Sequence, residues 1–319
     1  LQVSIPLGHI TCITGVSGSG KSTLLRHVLK PSLGELTSQE DLSSFSIHEG
    51  EVSLDSPTTP KDLVVLEQKP IGRTARSNVA TYVDLLTPIR EWFSLLPKAK
   101  AKGLLPRHFS YNHKKGMCST CWGLGYKKIQ LHFLPDAITP CDQCHGLRLN
   151  PTSLSITYEG KSLGQYLQMT IEEIEPIFSH IPSIKRLCEL LKNVGLGYLN
   201  LGQEVATLSG GEAQRLRLCQ KLMKRSSGKS IYLLDEPTCG LHFSDIEKLL
   251  KVLLKLREQQ HTVIIVEHNM DIIKSADYII DLGPGAGKKG GKVVFEGDYS
   301  KFSKAKTSTA KFLKSHLTV

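Results

Sequence analysis

A glycine-rich stretch near the start of the chain has the residue types needed to hold the phosphates of a nucleotide. Its sequence, GVSGSGKS over Gly15–Ser22, fits the phosphate-loop pattern G-x-x-x-x-G-K-[ST] at every fixed position. Glycines let successive backbone N–H groups curl around phosphate oxygens because no Cβ atom stands in the way. Lys21 should then reach the outer phosphates, and the Ser22 hydroxyl should ligate Mg²⁺. The residues predicted to bind ATP are Gly15, Val16, Ser17, Gly18, Ser19, Gly20, Lys21, Ser22 and Thr23.

An acidic pair follows an apolar run in the last third of the chain. Asp235 and Glu236 come directly after Ile231–Leu234, which has the pattern of a buried strand. Asp235 is expected to hold Mg²⁺ through water, and Glu236 to polarise the water that attacks the terminal phosphate. Taken alone, such a pair could simply cap a loop. Beside a matched phosphate loop, it predicts hydrolysis of a nucleoside triphosphate.

A third motif, LSGGE over Leu208–Glu212, opens a predicted helix. Ser209 is a good N-cap residue, and Gly210 and Gly211 leave backbone N–H groups exposed at the positive end of the helix dipole. The motif, Ser209, Gly210, Gly211 and Glu212, therefore predicts an anion site that faces outward. A simple helix N-terminus is the alternative interpretation.

Four of the eight cysteines have the spacing of a metal site. Cys118 and Cys121 form one C-x-x-C pair, and Cys141 and Cys144 form a second one nineteen residues later. Four thiolates at this spacing predict a closed, tetrahedral structural Zn²⁺ site. Unmetallated or redox-active thiols are the alternative, with His145 as a possible substitute ligand. The other cysteines, Cys12, Cys188, Cys219 and Cys239, are expected to be small buried hydrophobes.

The formal net charge of +10 is unevenly distributed. Residues 98–135 contain no Asp or Glu but eight Lys or Arg, with aromatic residues between them. The aromatic residues are Phe109, Tyr111, Trp122, Tyr126 and Phe133. This mixture suits phosphate contact with some base stacking, whereas the alternative is a solvated surface with a few core aromatics. A second group of lysines after residue 300 predicts a solvated tail.

The motifs must be positioned by elements of an α/β protein. The phosphate loop lies between a predicted strand, His9–Thr14, and a helix near Ser22–Leu29. From residue 205, apolar strands alternate with amphipathic helices, the pattern of a parallel sheet covered on both faces. Residues 78–204 lack this rhythm and are interpreted as an inserted domain. The domain prediction is a core of 1–77 and 205–298, an insert of 78–204 with a zinc element at 118–144, and a basic C-terminal tail at 299–319.

Composition excludes several classes of protein. No run of residues approaches the roughly 18 consecutive apolar residues of a membrane helix, so no membrane association is expected. No signal-peptide pattern opens the chain, and the cysteines do not suggest a disulfide framework, which together predict a cytoplasmic protein. The chain does not begin with Met, so we expect a partial chain.

The order of the motifs resembles the ATP-binding cassette (ABC) family. The resemblance implies that Gln68 senses Mg²⁺ near the catalytic centre and that His268 is the switch that contacts the γ-phosphate. In this family the signature, here Leu208–Glu212, covers the nucleotide of another cassette, so a second ABC module is implied as a partner. The expected fold class is α/β: an ABC-type ATPase core with a mainly parallel sheet, plus an inserted, mostly helical signature domain that carries a four-cysteine zinc element.

A narrower resemblance, from near Ile5 to about Asp298, is to the C-terminal ATPase half of UvrA, the damage-recognition ATPase of bacterial nucleotide excision repair. The stretches that carry it are Pro70–Asn78, His132–Asp136, Val194–Tyr198, Glu236–Thr238, Gly240–Phe243, Val266–Asn269 and Ile280–Pro284. Departures include Cys239, where the family usually has Thr, and Val79, where Pro is common. None of them falls on a phosphate-binding position.

The UvrA resemblance implies a Mg²⁺-dependent ATPase, not itself a nuclease, that scans DNA, recognises damaged duplex and loads the next repair protein. The implied partners are DNA, the missing N-terminal half, a second copy of the full-length protein and UvrB, the downstream component of the excinuclease. The candidate DNA contacts are Arg73, Lys114, Lys115, Lys127 and Lys128. The alternative is a UvrA-like paralogue with a non-repair role such as drug self-protection. A transporter subunit is disfavoured by the cysteine-bearing insert, and a chromosome-structure ATPase by the lack of a coiled-coil pattern.

Overall fold

The computed structural model describes residues 2–38, 45–47, 50–52, 60–67, 71, 76–129, 137–223 and 228–315. Contacts divide the chain into a core unit, Leu1–Gln68 with Lys224–Val319, and an inserted unit, Lys69–Met223. The predicted functional domains have slightly different limits and stay a prediction. The strands of the described residues are β1 Ile10–Gly15, β2 Phe45–Ile47, β3 Gly50–Val52, β4 Asp62–Leu66, β5 Tyr126–Ile129, β6 Ala137–Pro140, β7 Thr157–Tyr158, β8 Lys161–Ser162, β9 Ser230–Asp235, β10 Thr262–Val266, β11 Tyr278–Gly283 and β12 Lys292–Gly297.

The core unit is built on a six-stranded sheet with the order β12-β11-β1-β10-β9-β4. The five strands from β11 to β4 are parallel, and β12 pairs antiparallel with β11 at one edge. Every residue of β1, β9 and β10 is buried, as the continuous apolar runs in the sequence predict for strands covered on both faces. The predicted α/β class with a mainly parallel sheet is therefore confirmed.

The helix after β1 covers one face of this sheet. It consists of Lys21–Thr23, a π-type stretch Leu24–Leu29, and Lys30–Ser38, and we call it the phosphate-loop helix. Its leucines contact Ile13 and the apolar residues of β9, β10 and β11. The sequence predicted a helix only near Ser22–Leu29, but the helix continues to Ser38, and its Leu33 is buried in the same apolar cluster. Within the polar segment that follows, β2 and β3 pair as a short antiparallel hairpin.

The remaining helices of the core unit follow its later strands. They are Phe243–Glu258, Met270–Ser275, the 3₁₀ turn Gly287–Lys289, Tyr299–Phe302 and Ser308–Ser315. The last two were not predicted, because the lysines of this segment indicated a solvated tail. The lysines are indeed exposed, but Phe302, Ala310 and Leu313 between them are buried, so the segment is folded.

The inserted unit is mostly helical, as predicted. Its helices are Val79–Tyr82, Leu86–Leu95, Pro97–Ala101, Pro106–Phe109, Pro151–Leu154, Leu163–Tyr166, Ile171–Ile177, Pro182–Asn193, Val205–Thr207 and Gly210–Met223. Two hairpins, β5–β6 and β7–β8, complete it. Phe93, Phe109 and Tyr166 form part of its aromatic core, with ring centroids 5.6 and 6.0 Å from that of Phe93.

Candidate functional site

The phosphate loop connects β1 to the phosphate-loop helix, at the carboxyl end of the central strands. Its backbone at Gly15 has φ 138°, and a Cβ atom there would lie 2.2 Å from the carbonyl oxygen of Leu282 on β11. Glycine is therefore required where the chain leaves the sheet. The Lys21 Nζ atom donates to the carbonyls of Gly15 and Val16 at 3.0 and 2.8 Å, which folds the side chain back over the loop.

The surroundings of Lys21 are those of a cation placed for anion binding. Burial lowers the pKa of Lys21, and the carboxylates of Glu236 and Asp281 oppose that shift. Ser22 and Thr23 are exposed on the first turn of the phosphate-loop helix, where the helix dipole favours negative charge. The predicted ATP-binding residues thus form one continuous loop and helix start.

Asp235 at the end of β9 is buried and is held by a residue that sequence reasoning missed. The Arg26 guanidinium donates to Asp235 Oδ2 from Nε at 3.0 Å and from Nη2 at 2.5 Å. Arg26 follows Ser22 by about one helical turn, so this ion pair joins the acidic strand end to the first turns of the phosphate-loop helix. The two predicted magnesium ligands, Ser22 and Asp235, therefore belong to directly connected elements. The third predicted ligand, Gln68, lies outside the described residues.

Glu236 and His268, predicted as catalytic residues, are brought together at the ends of adjacent strands. The distance from His268 Nε2 to Glu236 Oε1 is 3.6 Å, and both side chains are partly exposed. The Glu236 backbone is left-handed, with φ 47°, an uncommon conformation for a residue other than glycine. It turns the chain sharply after β9. A carboxylate and an imidazole at this distance can share the positioning of one water molecule.

Glu267, immediately before His268, is a second residue that sequence reasoning missed. Its side chain is buried, with 2% relative exposure, and its two carboxylate oxygens accept hydrogen bonds from two separate loops. Oε1 accepts from the backbone N–H and the hydroxyl of Thr238, at 2.9 and 2.6 Å. Oε2 accepts from the backbone N–H groups of His268 and Asn269, at 2.8 and 3.1 Å. Glu267 therefore fixes His268 relative to the turn that contains Glu236. The sequence contained one signal that could have identified Glu267: a charged residue directly after the apolar strand β10.

The signature motif lies in the inserted unit at the start of helix Gly210–Met223. Ser209 and Glu212 form a reciprocal cap, because Glu212 N donates to Ser209 Oγ and Ser209 N donates to Glu212 Oε2. The Tyr198 hydroxyl donates to the other oxygen of Glu212. Burial of the Glu212 carboxylate raises its pKa. The hydrogen bonds from Tyr198 and Ser209 outweigh burial and keep the pKa of Glu212 below its usual range. The predicted cap by Ser209 is present and Gly210 is exposed at the helix end, but Gly211 is buried, so the predicted exposure was wrong for Gly211.

The four predicted zinc ligands form one buried cluster in the inserted unit. The sulfur atoms of Cys118, Cys121, Cys141 and Cys144 all lie within 4.8 Å of one another. Cys118 is 3.9 Å from Cys141, and Cys121 is 3.6 Å from Cys144, close to the about 3.8 Å between sulfurs of a tetrahedral site with bonds of about 2.3 Å. His145 is exposed and does not belong to the cluster.

The chemistry of this donor set fits a soft divalent cation. Burial raises the pKa of Cys144 to about 12 and also raises the pKa of Cys121, so adjacent thiolates require a cation to stabilise them. The Gly125 N–H donates to Cys121 Sγ at 3.2 Å, which supports the sulfur as an acceptor. Among the other cysteines Cys12, Cys188 and Cys219 are buried as predicted, whereas Cys239 is exposed, so that prediction was wrong for Cys239.

The candidate DNA contacts are only partly available for an anion. Lys114, Lys115 and Lys128 are exposed, but Lys127 forms an ion pair with Asp142. Asp142 follows β6 in the sequence and lies outside residues 98–135. The fold nevertheless places this carboxylate beside Lys127, so an acidic residue is close to the basic window. Arg73 lies outside the described residues.

The aromatic residues of the basic window divide into core and surface. Phe109 and Tyr111 are fully buried, as the alternative of a few core aromatics predicts, and their rings pack within the inserted unit. Trp122 is 58% exposed and stays available for stacking. Phe133 lies outside the described residues.

Comparison with known proteins identifies the relatives of this chain. No family model matches it. The sequence is 47% identical over 315 residues to "UvrABC system protein A" of Haemophilus influenzae, across 98% of this chain and 33% of that protein. It is 48% identical over 319 residues to the protein of the same name from Pseudomonas aeruginosa, across 98% and 33% of the two chains. This chain is a homologue of UvrA.

The structural comparison agrees with the UvrA homology. The crystal structure of UvrA2 from Deinococcus radiodurans matches with a TM-score of 0.82 and 40% sequence identity, over 98% of this chain and 37% of that one. The predicted α/β class with a mainly parallel sheet is confirmed, the fold is similar to that of UvrA2, and the four cysteines form a cluster. The chain spans about one third of the length of the UvrA relatives that it matches.

The helices give one further fact about this UvrA homologue. Among the described residues, no helix combines the length and the apolar composition needed to cross a bilayer.

Proposed function

We propose that this chain is the ATP-binding and ATP-hydrolysing module of a cytoplasmic protein that recognises damaged DNA in nucleotide excision repair. The observation that carries the proposal is the meeting of Glu236 and His268, 3.6 Å apart, beside a complete phosphate loop in a chain homologous to UvrA. Phosphate-binding groups and a candidate base at one sheet edge are the parts that ATP hydrolysis requires.

Each of the predicted site residues has its own role in binding or hydrolysing ATP. Lys21 and the N–H groups of the phosphate loop bind the β- and γ-phosphates, and Ser22, Asp235 and Gln68 hold the Mg²⁺ that neutralises the phosphate charge. Glu236 accepts a proton from the attacking water. His268 orients that water and the γ-phosphate, and Glu267 holds His268 in place.

A second cassette completes the site. One phosphate loop and one signature supply halves of two different nucleotide sites, so Ser209–Glu212 of this chain binds the nucleotide of a partner module. The partner is the N-terminal half of a UvrA-type protein, which in turn forms a homodimer and recruits UvrB, the downstream component of the excinuclease. The coverage of only 33% of each UvrA relative supports a requirement for further modules.

The cysteine cluster has a structural role in this proposal. Cys118, Cys121, Cys141 and Cys144 hold one Zn²⁺, which fixes the hairpin β5–β6 with its lysines. Lys114, Lys115 and Lys128 are exposed and contact DNA phosphates, while Arg73 is retained as a candidate from the sequence. Lys127 contributes less, because Asp142 already neutralises it.

The proposal is tested first on catalysis. Glu236→Gln should bind MgATP as the wild type does but lose at least about a hundredfold in turnover when a second UvrA-type cassette is added, because it removes the proton acceptor. Glu258→Gln, an exposed glutamate on helix Phe243–Glu258, is the matched control and should keep both properties. If the wild-type chain does not bind MgATP, or if Glu236→Gln retains turnover, the proposal is wrong.

The repair role is tested with DNA. In the two-cassette protein, lesion-bearing duplex should bind more tightly than undamaged duplex, and log K should fall steeply with log salt. Lys114→Ala with Lys115→Ala should reduce the salt slope by about 2, since each phosphate contact contributes about 0.9. The control pair Lys304→Ala with Lys311→Ala should leave the slope unchanged. A protein that hydrolyses ATP but shows no lesion preference would instead be the paralogue with a non-repair role.

A further inference from the structure

The glycine-rich segment after β11 has no assigned role, although it lies directly against the phosphate loop. We call the segment Gly283–Gly291, with sequence GPGAGKKGG, the outer loop. β1 and β11 are neighbouring parallel strands with Gly15 paired to Leu282, so the loops that follow them leave the sheet side by side. The outer loop includes the 3₁₀ turn Gly287–Lys289 and carries two exposed lysines, Lys288 and Lys289.

Two backbone hydrogen bonds connect the outer loop to the phosphate loop. The N–H of Gly287 donates to the carbonyl of Gly18 at 3.2 Å, and the N–H of Gly291 donates to the carbonyl of Ser19 at 2.9 Å. Both acceptors belong to the glycine-rich turn that precedes the phosphate-loop helix, which begins at Lys21. The outer loop therefore supplies hydrogen-bond donors to this turn.

These bonds determine where the N–H groups of the phosphate loop point. A peptide unit is planar and trans, so its C=O and N–H point in opposite directions. Because the Ser19 carbonyl points to Gly291, the N–H of Gly20 points away from the outer loop. Gly20 has φ 101°, a conformation outside the helical region, so the helix does not fix this peptide. Backbone N–H groups of this loop are the ones that bind phosphate oxygens.

The two loops also touch backbone to backbone, and glycine is needed for this contact. A Cβ atom added to Gly290 would lie 2.9 Å from the carbonyl oxygen of Gly285 and 3.1 Å from the Cα and carbonyl oxygen of Ser19. On the other side, the Cβ of Ala286 lies 3.1 Å from the position that a Cβ on Gly18 would occupy. A side chain at Gly290 would therefore have to displace the phosphate loop or the outer loop.

We infer that the outer loop is a positioning element of the nucleotide site, which sets the peptide orientation of the phosphate loop, and that Gly290 sets the spacing between the two loops. The inference rests on the proposed function as an ATP-binding module. It assigns to Gly290 and Ala286 an effect on nucleotide affinity although neither belongs to the phosphate-loop motif.

The test compares nucleotide binding with stability in the full chain. Gly290→Ala should weaken MgATP binding, measured by calorimetry, by about tenfold, the loss expected when one hydrogen bond to a charged phosphate is misaligned. The thermal midpoint without nucleotide should change little, whereas the increase in that midpoint caused by saturating MgATP should shrink. A residue with only a structural role would instead lower the midpoint without nucleotide and leave affinity unchanged.

A matched glycine control lies outside the outer loop, and the outer loop offers a second variant. Gly34→Ala, on the phosphate-loop helix and away from the phosphate loop, places its Cβ at an ordinary 3.8 Å from the Leu63 side chain, so ATP affinity should match the wild type. Ala286→Val adds bulk next to Gly18 at an exposed position, which should leave folding intact and weaken MgATP binding even if Gly290→Ala folds poorly.

The outcomes separate the two proposals. If the wild-type chain fails to bind MgATP, the proposed function fails. If the wild type binds MgATP and both Ala286→Val and a folded Gly290→Ala bind it equally well, the outer loop does not position the phosphate loop and the inference is wrong.

Discussion

The buried Glu267 carboxylate is the residue on which the geometry of the proposed catalytic pair depends most directly. It accepts four hydrogen bonds, two from Thr238 and two from the backbone at His268 and Asn269. Glu267→Gln replaces one acceptor oxygen by an NH₂ donor, so the donors on one side lose their partner. We expect kcat of the two-cassette protein to fall about tenfold to a hundredfold while the KM for ATP changes little, because the altered contacts do not touch the phosphate loop.

The appropriate control for Glu267 is Thr238→Val. It removes the hydroxyl donor to Oε1 and keeps the three backbone donors, from Thr238, His268 and Asn269, so its effect on kcat should be clearly smaller. Combining the two changes should cost less than the sum of the separate losses, since both act on one network. Full additivity, or a loss confined to thermal stability, would contradict a role in positioning His268.

At the scale of single residues, spacing along the chain predicted only part of the candidate site. Lys21, Glu236 and the four cysteines of the cluster were predictable because their motifs are local in sequence. Arg26 and Glu267 were not, because each depends on a residue far along the chain: Arg26 pairs with Asp235, 209 positions away, and Glu267 accepts from Thr238, 29 positions away. The pairing of Lys127 with Asp142 was missed for a related reason, since hairpin β5–β6 brings them together.

At the scale of elements, the cysteine cluster should control the stability of the hairpin β5–β6. The four cysteines lie before and after this hairpin, and zinc binding would contribute on the order of 10 kcal/mol to its folding. Cys141→Ser, or a strong chelator, should release the one zinc ion per chain and make residues 118–144 sensitive to limited proteolysis. MgATP binding should persist, because the phosphate loop belongs to the core unit.

The control for the zinc prediction is Cys239→Ser, which changes an exposed cysteine outside the cluster. It should retain one zinc per chain and the wild-type proteolysis pattern. Zinc content that is unaffected by Cys141→Ser would show that the cluster is not the metal site.

Strands and helices were predicted from the sequence where a single pattern, an apolar run or an amphipathic period, extends over the whole element. The buried strands β9 and β10 and the helix Phe243–Glu258 follow directly from apolar runs and amphipathic periodicity. The edge strand β12 and the two C-terminal helices were missed, because they are short. Elements of this length contain too few apolar positions to produce a clear period, and pairing with β11 or packing against the sheet stabilises them.

At the scale of the whole molecule, sequence distinguished a cassette core from a helical insert but could not give the limits of the compact units. The signature helix, predicted with the core, belongs to the compact unit Lys69–Met223. The domain prediction grouped segments by the motifs they carry. The compact units instead reflect which segments pack together in space, and motif order does not show this. The predicted domain limits therefore stay a prediction about function.

The C-terminal helix shows how the end of the chain supports the strand that precedes the phosphate loop. Helix Ser308–Ser315 contacts β1, its Leu313 is fully buried, and its Thr309 hydroxyl donates to the buried Asp281 carboxylate at 3.0 Å. Leu313→Ala should therefore lower the free energy of unfolding of the core unit by about 2–5 kcal/mol, the usual cost of emptying a buried leucine site. Urea unfolding monitored by circular dichroism measures this loss.

The neighbouring residue provides the control for this prediction. Phe312 is 51% exposed on the same helix, so Phe312→Ala removes a larger side chain but should cost much less, about 1 kcal/mol or below. Helix propensity cannot explain such a difference, because both variants place alanine in the same helix. Equal losses for the two variants would mean that the C-terminal helix does not pack on the sheet. A loss specific to Leu313 would mean instead that the lysine-rich end of the chain is an integral part of the core that holds the phosphate loop.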